Sequence, residues 1–154
     1  MIASGSHDHT IRVWDTWTGE CCCVIDGHND IITSVSFSPT NSQLLISASR
    51  DNTVQWWDIN GHKIGSTYEG EYVAISSDGT YFALWTQEQP VVTVQNSESG
   101  VIVTKLQNPG EHCGCCQFSP DSKSVACGVG KIIYIWDITN PAPHLVGTFI
   151  GHTG

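Results

Sequence analysis

Basic residues are scarce in this sequence. Only 6 of its 154 residues are lysine or arginine, against 15 aspartates and glutamates, so the net charge is −9. A nucleic-acid-binding domain normally carries clustered basic side chains that replace the counterions of the phosphates, and the few basic residues here are scattered. We therefore expect no nucleic-acid partner, and for the same reason we expect no binding to anionic membranes.

Long hydrophobic runs and targeting signals are missing as well. No stretch approaches the roughly 20 apolar residues that a membrane-spanning helix needs. The first residues, Met1 to Gly5, lack the basic and apolar regions of a signal peptide. These absences predict a cytoplasmic protein, with a nuclear location as the alternative.

Cysteine, by contrast, is frequent, and most of it falls in two tight clusters. An odd number of closely spaced cysteines is unlike the disulfide framework of a secreted domain, so we expect free thiols. The sequence contains seven of them: Cys21, Cys22, Cys23, Cys113, Cys115, Cys116 and Cys127.

The spacing of Cys113 and Cys116 is one that metal sites and redox motifs use, and residues 21–23 would supply further thiolates. However, Cys116 falls on a predicted core position of a strand, and the pair does not begin a helix. We therefore predict no metal and no cofactor, and we keep a metal- or redox-active protein as the alternative function.

Strand-forming residues alternate with turn-forming ones along the chain. Fifteen glycines and six prolines separate runs rich in valine, isoleucine, threonine and aromatic residues. Within these runs, as in Val54-Gln55-Trp56, neighbouring side chains alternate in character, as expected for strands with two unlike faces. The composition and periodicity predict an all-β fold.

An internal repeat runs through the sequence. Residues 4–15 and residues 47–58 both contain a serine four residues before an aspartate and a tryptophan six residues after it. A Phe-Ser-Pro turn at 37–39 recurs 81 residues later, and Gly27-His28 recurs as Gly151-His152. The Trp-Asp pair that closes each copy begins at Trp14, Trp57 and Trp136, with Gln95-Asn96 standing in for it in the middle copy.

This order of landmarks resembles the WD40 repeat family, and the resemblance covers the whole chain. It implies a β-propeller built of four-stranded antiparallel blades. The predicted boundaries are a partial blade at 1–27, a blade at 28–66, a degenerate blade at 67–109, a blade at 110–150 and the start of another at 151–154.

These segments amount to about 3.75 repeats, whereas closed propellers have four blades or more. We therefore expect an incomplete or open propeller that is a fragment of a larger protein. The alternatives are a small or open propeller, or a chain that associates with copies of itself through its open blade edges.

The resemblance also implies a hydrogen-bonded network that links a histidine, a serine, an aspartate and the tryptophan of a blade. For the serine of the copy at residues 47–58, the prediction is Ser47, and Ser49 is the alternative. Serine, histidine and aspartate also suggest a hydrolase triad, but a buried network of this kind serves to rigidify a fold, so we expect no catalysis. The predicted network residues are His28, Ser47, Asp51 and Trp57, with Ser4, Asp8 and Trp14 in the opening blade and Trp136 in the last.

The family resemblance implies a non-enzymatic scaffold that binds other proteins through loops at the strand ends. The triplet His7-Asp8-His9 has the composition of a metal site, but Asp8 has a structural role in the turn, so a metal is not expected there. The candidate partner-binding residues are His7, Arg50, Thr33, Trp17 and Trp85.

Overall fold

A computed structural model describes residues 1–110, 112–140 and 142–151 of the chain. These described residues form fifteen elements, all of them β-strands, which confirms the all-β prediction. The strands are β1 (Ile2–Gly5), β2 (Thr10–Trp14), β3 (Cys21–Asp26), β4 (Ile32–Phe37), β5 (Leu44–Ser49), β6 (Thr53–Asp58), β7 (Lys63–Glu69), β8 (Tyr72–Ile75), β9 (Tyr81–Trp85), β10 (Val91–Asn96), β11 (Ile102–Gln107), β12 (Cys115–Phe118), β13 (Ser124–Val129), β14 (Ile132–Asp137) and β15 (His144–Ile150).

The strands of the described residues pair in chain order into four antiparallel sheets. The first sheet has three strands, β1–β3, and the other three have four strands each: β4–β7, β8–β11 and β12–β15. The boundary predicted at residue 66 falls inside β7, because Tyr68 and Glu69 still pair with β6. The predicted start of a further blade at 151–154 lies, except for Gly151, outside the described residues.

Each sheet carries an irregularity near the position of the Trp-Asp pair. The register between the last two strands shifts at Val13/Trp14, Val54/Trp56, Val94/Gln95 and Ile135/Trp136. A shift of this kind is a β-bulge, which bends the strand and increases its twist. The third sheet keeps the bulge although it lacks the tryptophan.

The acidic or amide residue that follows the bulge holds the next turn. Its side-chain oxygen accepts the backbone N–H two residues further on, which is an Asx turn. The backbone N–H donates from Trp17 to Asp15 (2.7 Å), from Asn60 to Asp58 (2.9 Å), from Glu98 to Asn96 (3.2 Å) and from Thr139 to Asp137 (2.7 Å). Asn96 therefore does in the third sheet what aspartate does in the others.

The chain divides into two compact units, Met1–Val73 and Ala74–Gly154, with the division falling inside β8. In the first unit, alternate residues of the first two sheets form one core, whose buried members are Ile11, Val13, Ile25, Ile32, Leu45 and Trp57. In the second unit the largest fully buried side chains are Phe82, Leu84, Leu106, Val92, Val94 and Val125. The described part of the chain contains no helix with the length and apolarity needed to cross a membrane.

Gly27 leaves the space into which Trp57 packs. A Cβ atom at Gly27 would lie 2.4 Å from the Cη2 atom of the Trp57 ring. We expect Gly27→Ala to displace the indole and to lower the free energy of unfolding by about 1–3 kcal/mol, measured by urea denaturation. Gly147→Ala is the matched control, because a Cβ there meets no heavy atom within 4 Å. Equal destabilisation by the two substitutions would contradict this description of the packing.

Candidate functional site

The second sheet contains a continuous chain of buried polar side chains, which we call the polar chain: Trp57, Ser47, His28 and Asp51. The indole N–H of Trp57 donates to Ser47 Oγ over 2.7 Å, and Ser47 Oγ lies 2.8 Å from His28 Nε2. His28 Nδ1 lies 3.2 Å from Asp51 Oδ2. Because a carboxylate can only accept, the proton of neutral His28 belongs on Nδ1, and Nε2 accepts the hydroxyl hydrogen of Ser47.

Strand pairing and a tight turn bring these side chains together. Leu45 pairs with Trp57 across β5 and β6, so Ser47 lies two residues along the same face of β5. Asp51 stands in the turn between these strands and accepts the backbone N–H of Asn29 over 2.8 Å and that of Thr53 over 2.9 Å. Its carboxylate therefore fastens the segment that precedes β4 to the β5–β6 turn.

Ser49, the alternative to Ser47, has different partners. Its hydroxyl donates to the carbonyl oxygen of Asp30 over 2.9 Å and accepts the backbone N–H of Asp51 over 3.1 Å. The structure therefore places Ser47 in the polar chain and assigns Ser49 to the backbone of the neighbouring turn.

The order serine, histidine, aspartate is that of a hydrolase triad, but its surroundings are those of a core. Catalysis requires a nucleophile that a substrate can reach. Ser47 is fully buried, at 0% exposure, and its oxygen already accepts the indole N–H of Trp57. The geometry joins two strands and a turn and offers no accessible nucleophile.

Burial and hydrogen bonding set the charge of the polar chain. Burial lowers the pKa of His28 more than the neighbouring Asp51 raises it, so neutral histidine is favoured. Burial alone would raise the pKa of Asp51, but hydrogen bonds from Thr53 and Asn29 outweigh it and keep this pKa below its usual value. The favoured state is neutral histidine beside an ionised carboxylate.

The first sheet has a shorter version of this arrangement. The indole N–H of Trp14 donates to Ser4 Oγ over 2.9 Å. Asp8 holds the β1–β2 turn by accepting the backbone N–H of Thr10 over 2.9 Å and its hydroxyl hydrogen over 2.6 Å. These groups are exposed, whereas those of the second sheet are largely buried.

In the fourth sheet the predicted network residue Trp136 has a partner that sequence reasoning missed. Its indole N–H donates to the Oδ1 atom of Asn108 over 2.9 Å, and Asn108 is only 2% exposed. Asn108 precedes Trp136 by 28 residues, and His28 precedes Trp57 by 29. That spacing was the available signal, but it points to a different residue type from the histidine of the repeat.

Three buried thiols lie in or next to the fourth sheet, and we call them the thiol cluster: Cys113, Cys116 and Cys127. The Sγ atom of Cys116 lies 3.2 Å from that of Cys113 and 3.2 Å from that of Cys127. Cys116 pairs with Cys127 across β12 and β13 as Val35 pairs with Ser47 across β4 and β5. Cys127 therefore occupies the position that Ser47 has in the second sheet.

The other cysteines lie apart from the thiol cluster. Cys115 is exposed, and residues 21–23 belong to the first unit, where Cys21 and Cys22 are exposed. The sequence indicated the spacing of Cys113 and Cys116 but not their partner Cys127. Within the described residues, the thiol cluster is the one group of three or more cysteine, histidine or acidic side chains arranged to hold a metal ion.

The mutual contacts of the thiols separate their acidities. Hydrogen bonds from Cys116 and Cys127 lower the pKa of Cys113 to about 4. The hydrogen bond with Cys113 raises the pKa of Cys116, and it is also the main cause that raises the pKa of Cys127 to about 12. The hydrogen bonds among the three sulfur atoms therefore favour a single thiolate within the thiol cluster.

The predicted partner-binding residues differ in accessibility. His7 and Arg50 are exposed, in the β1–β2 and β5–β6 turns, and Trp17 is 96% exposed in the β2–β3 turn at the opposite end of its sheet. Thr33 is half-buried and donates to the backbone oxygens of Ala48 and Glu71. Trp85 is 6% exposed and belongs to the core, so neither Thr33 nor Trp85 is placed to anchor a partner.

Comparison with known proteins gives a consistent family. The sequence profile of the WD40 family, described as WD domain, G-beta repeat, matches residues 1–15, 19–58 and 90–137. The WD repeat and SOCS box-containing protein 1 of Danio rerio is 28% identical over 140 residues, covering 90% of this chain and 24% of that protein.

Other relatives show the same pattern of coverage. Protein tipD of Dictyostelium discoideum is 32% identical over 131 residues, covering 77% of this chain and 21% of that protein. Pre-mRNA-processing factor 19 of Mus musculus is 28% identical over 170 residues, covering 99% of this chain and 31% of that protein. The chain thus spans less than a third of the length of each of these relatives.

Removal of the central hydroxyl tests the polar chain. Ser47→Ala leaves the indole N–H of Trp57 and the Nε2 atom of His28 without their shared partner in a buried place. We expect the free energy of unfolding to fall by about 1–3 kcal/mol, measured by urea denaturation. Ser4→Ala removes the equivalent bond at an exposed site, where water replaces the hydroxyl, and should cost less. The same cost for both variants would show that burial is not what makes the polar chain important.

The lowered pKa of His28 predicts a pH dependence of stability. In the unfolded chain this histidine titrates near its usual value of 6.5, above its pKa in the folded protein. The unfolded chain therefore binds the proton first, so stability is fully present above about pH 6.5 and declines as the pH falls below it. Protonation would also place a donor on Nε2, where Ser47 now donates.

We expect His28→Gln to flatten the change in unfolding free energy between pH 5 and pH 7.5, measured by urea denaturation at each pH. His7→Gln is the control, because His7 is exposed in the β1–β2 turn. That variant should retain the slope of the unmodified protein. A slope unchanged in His28→Gln would mean that another group carries the proton.

Proposed function

The chain belongs to the WD40 repeat family, and from this membership we propose that it is a cytoplasmic, non-enzymatic scaffold that binds other proteins. WD40 repeats in general mediate protein–protein interactions. The observation that carries the non-enzymatic part of the proposal is the complete burial of Ser47 inside the polar chain. The side chains that resemble a hydrolase triad are thereby committed to holding the second sheet together.

The proposed contact surface is the end of the first two sheets where His7 and Arg50 stand. Each residue immediately precedes a turn aspartate, and Asp8 and Asp51 fix the backbone of these turns by hydrogen bonds. A side chain on a rigid turn loses less conformational freedom on binding than one on a mobile loop. Arginine is also among the residues that most often dominate binding energy at interfaces.

Trp17 marks a second candidate surface. Its indole is almost wholly exposed, although the Asx turn of Asp15 fixes its backbone N–H. A large apolar side chain held in water by a rigid turn gains free energy when a partner covers it. Because Trp17 lies at the opposite end of the first sheet from His7, the two surfaces can be tested separately.

Affinity purification of the tagged chain, followed by binding measurements with each recovered protein in purified form, tests this proposal. We expect Arg50→Ala to weaken the binding of at least one direct partner by about 10-fold or more, as for a dominant interface residue. Lys105→Ala is the matched control, since it removes an exposed positive charge from the third sheet. Trp17→Ala reports on the other surface in the same assay.

The outcomes are separable. Loss of binding in Trp17→Ala but not in Arg50→Ala would move the contact to the opposite end of the sheets and leave the scaffold function in place. If no purified protein binds the unmodified chain directly, the scaffold function itself is wrong.

A further inference from the structure

The fourth sheet keeps the strand frame of the second sheet but fills its interior differently. Where the second sheet has the hydroxyl of Ser47, the fourth has the thiol of Cys127. The indole N–H of Trp136 donates to the Oδ1 atom of Asn108, so it does not require Cys127 as an acceptor. The thiol cluster therefore does not need to accept the tryptophan N–H, as Ser47 does in the polar chain.

The three sulfur atoms converge from separate pieces of backbone. Cys116 and Cys127 face each other on neighbouring strands, and Cys113 precedes β12. All three Sγ atoms lie within 4.8 Å of one another, and none of the three residues is more than 6% exposed. Zinc–sulfur bonds of about 2.3 Å place the thiolates of a tetrahedral site about 3.8 Å apart, so the two 3.2 Å separations from the sulfur of Cys116 need to widen by only about half an ångström.

A buried donor adjoins the thiol cluster. The side chain of Asn108 is held by Trp136 through its Oδ1 atom, while its buried Nδ2 atom has no hydrogen-bond partner among the described residues. The side chain lies within reach of Cys127, because it acts to lower the pKa of that thiol. It can therefore donate an N–H to a sulfur atom there. A metal-bound thiolate accepts such a bond more strongly than a neutral thiol does, and bonds of this kind orient and stabilise metal ligands.

We propose that Cys113, Cys116 and Cys127 bind one thiophilic metal ion, Zn²⁺ or Cu⁺, as three thiolates, with Asn108 donating an N–H to the sulfur of Cys127. Soft thiolate ligands select these ions over Mg²⁺ or Ca²⁺. Any proton still on a sulfur atom passes to the buffer as the sulfur–metal bond forms, so the step requires no oxidant or reductant. The site is independent of the proposed scaffold function and would stabilise the fourth sheet from within.

The test uses the full chain, reduced with a non-thiol reductant and stripped of metal. Zn²⁺ and Cu⁺ are titrated separately against chromophoric competitors, and Co²⁺ serves as a spectroscopic probe for thiolate coordination. We expect one equivalent of Zn²⁺ or Cu⁺ to bind, and Cys127→Ser to weaken that binding by more than about 100-fold. Cys115→Ser is the matched control, because it removes an exposed thiol from the same segment and should leave the affinity unchanged.

A second variant tests the role of Asn108. Asn108→Asp retains an oxygen for the indole of Trp136 but replaces the N–H donor with an acceptor. We expect this variant to weaken metal binding by about 10- to 100-fold, the range seen when partners of metal ligands are removed. An unchanged affinity would remove Asn108 from the proposal.

Several results would overturn the site. They are the absence of stoichiometric binding by the reduced chain, equal affinity in Cys127→Ser, and loss of binding on substituting Cys22 instead. A disulfide between Cys116 and Cys127 in protein taken directly from cells, seen as a mass loss of two hydrogens, would also count against it.

If Cys127→Ser fails to fold, alkylation of the unmodified chain decides the question. With Zn²⁺ or Cu⁺ bound, peptides containing Cys113, Cys116 and Cys127 should be protected in the native protein to a greater extent than without metal. Cys115 should be modified equally in both conditions. Equal labelling of the thiol cluster with and without metal would contradict the proposal.

Discussion

The indole N–H of the tryptophan at the end of a strand is the group around which the neighbouring side chains are arranged. A buried indole contributes a large apolar surface, but its N–H must find an acceptor or the burial is costly. In the first sheet the acceptor is Ser4, in the second Ser47 and in the fourth Asn108. The choice of acceptor then determines what else the interior of each sheet can contain.

The second and fourth sheets show two consequences of that choice. When Ser47 accepts the indole N–H, its own hydrogen needs an acceptor, which brings in His28 and, through it, Asp51. The result is a directed sequence of hydrogen bonds that ties strand, turn and loop together. In the fourth sheet Asn108 accepts the indole N–H instead. The residue of β13 that pairs with Cys116 of β12 therefore does not need to accept it, and this position can hold the sulfur atom of Cys127.

The sequence was sufficient for the features that depend on local pattern. Alternating side chains predicted the strands, and the spacing of serine, aspartate and tryptophan identified residues that the structure brings together in the second sheet. The sequence was insufficient where residue type and position disagree. Asn108 stands near the place of a histidine without resembling one, and Cys127 becomes the third thiol only through its pairing with Cys116.

The sequence pattern also did not predict which side chains are exposed. Trp85 and Trp17 are the same residue type beside turn-forming segments, yet one is buried on a strand and the other stands in water. Trp85 lies on β9, whose residues face the core of the second unit, whereas Trp17 lies in the turn between β2 and β3. The boundary predicted at residue 66 falls inside β7, most of whose residues are exposed, so this strand carries little apolar signal.

The bulge beside the Trp-Asp position has a consequence for how such chains diverge. In the third sheet Gln95-Asn96 replaces Trp-Asp, yet the register shift and the Asx turn are both retained. The shape of a sheet thus depends largely on the path of its backbone, and different side chains are compatible with that path. During evolution one repeat can therefore lose its characteristic residues and keep its backbone shape. The number of repeats recognised from residue identities alone is then a lower bound on the number present.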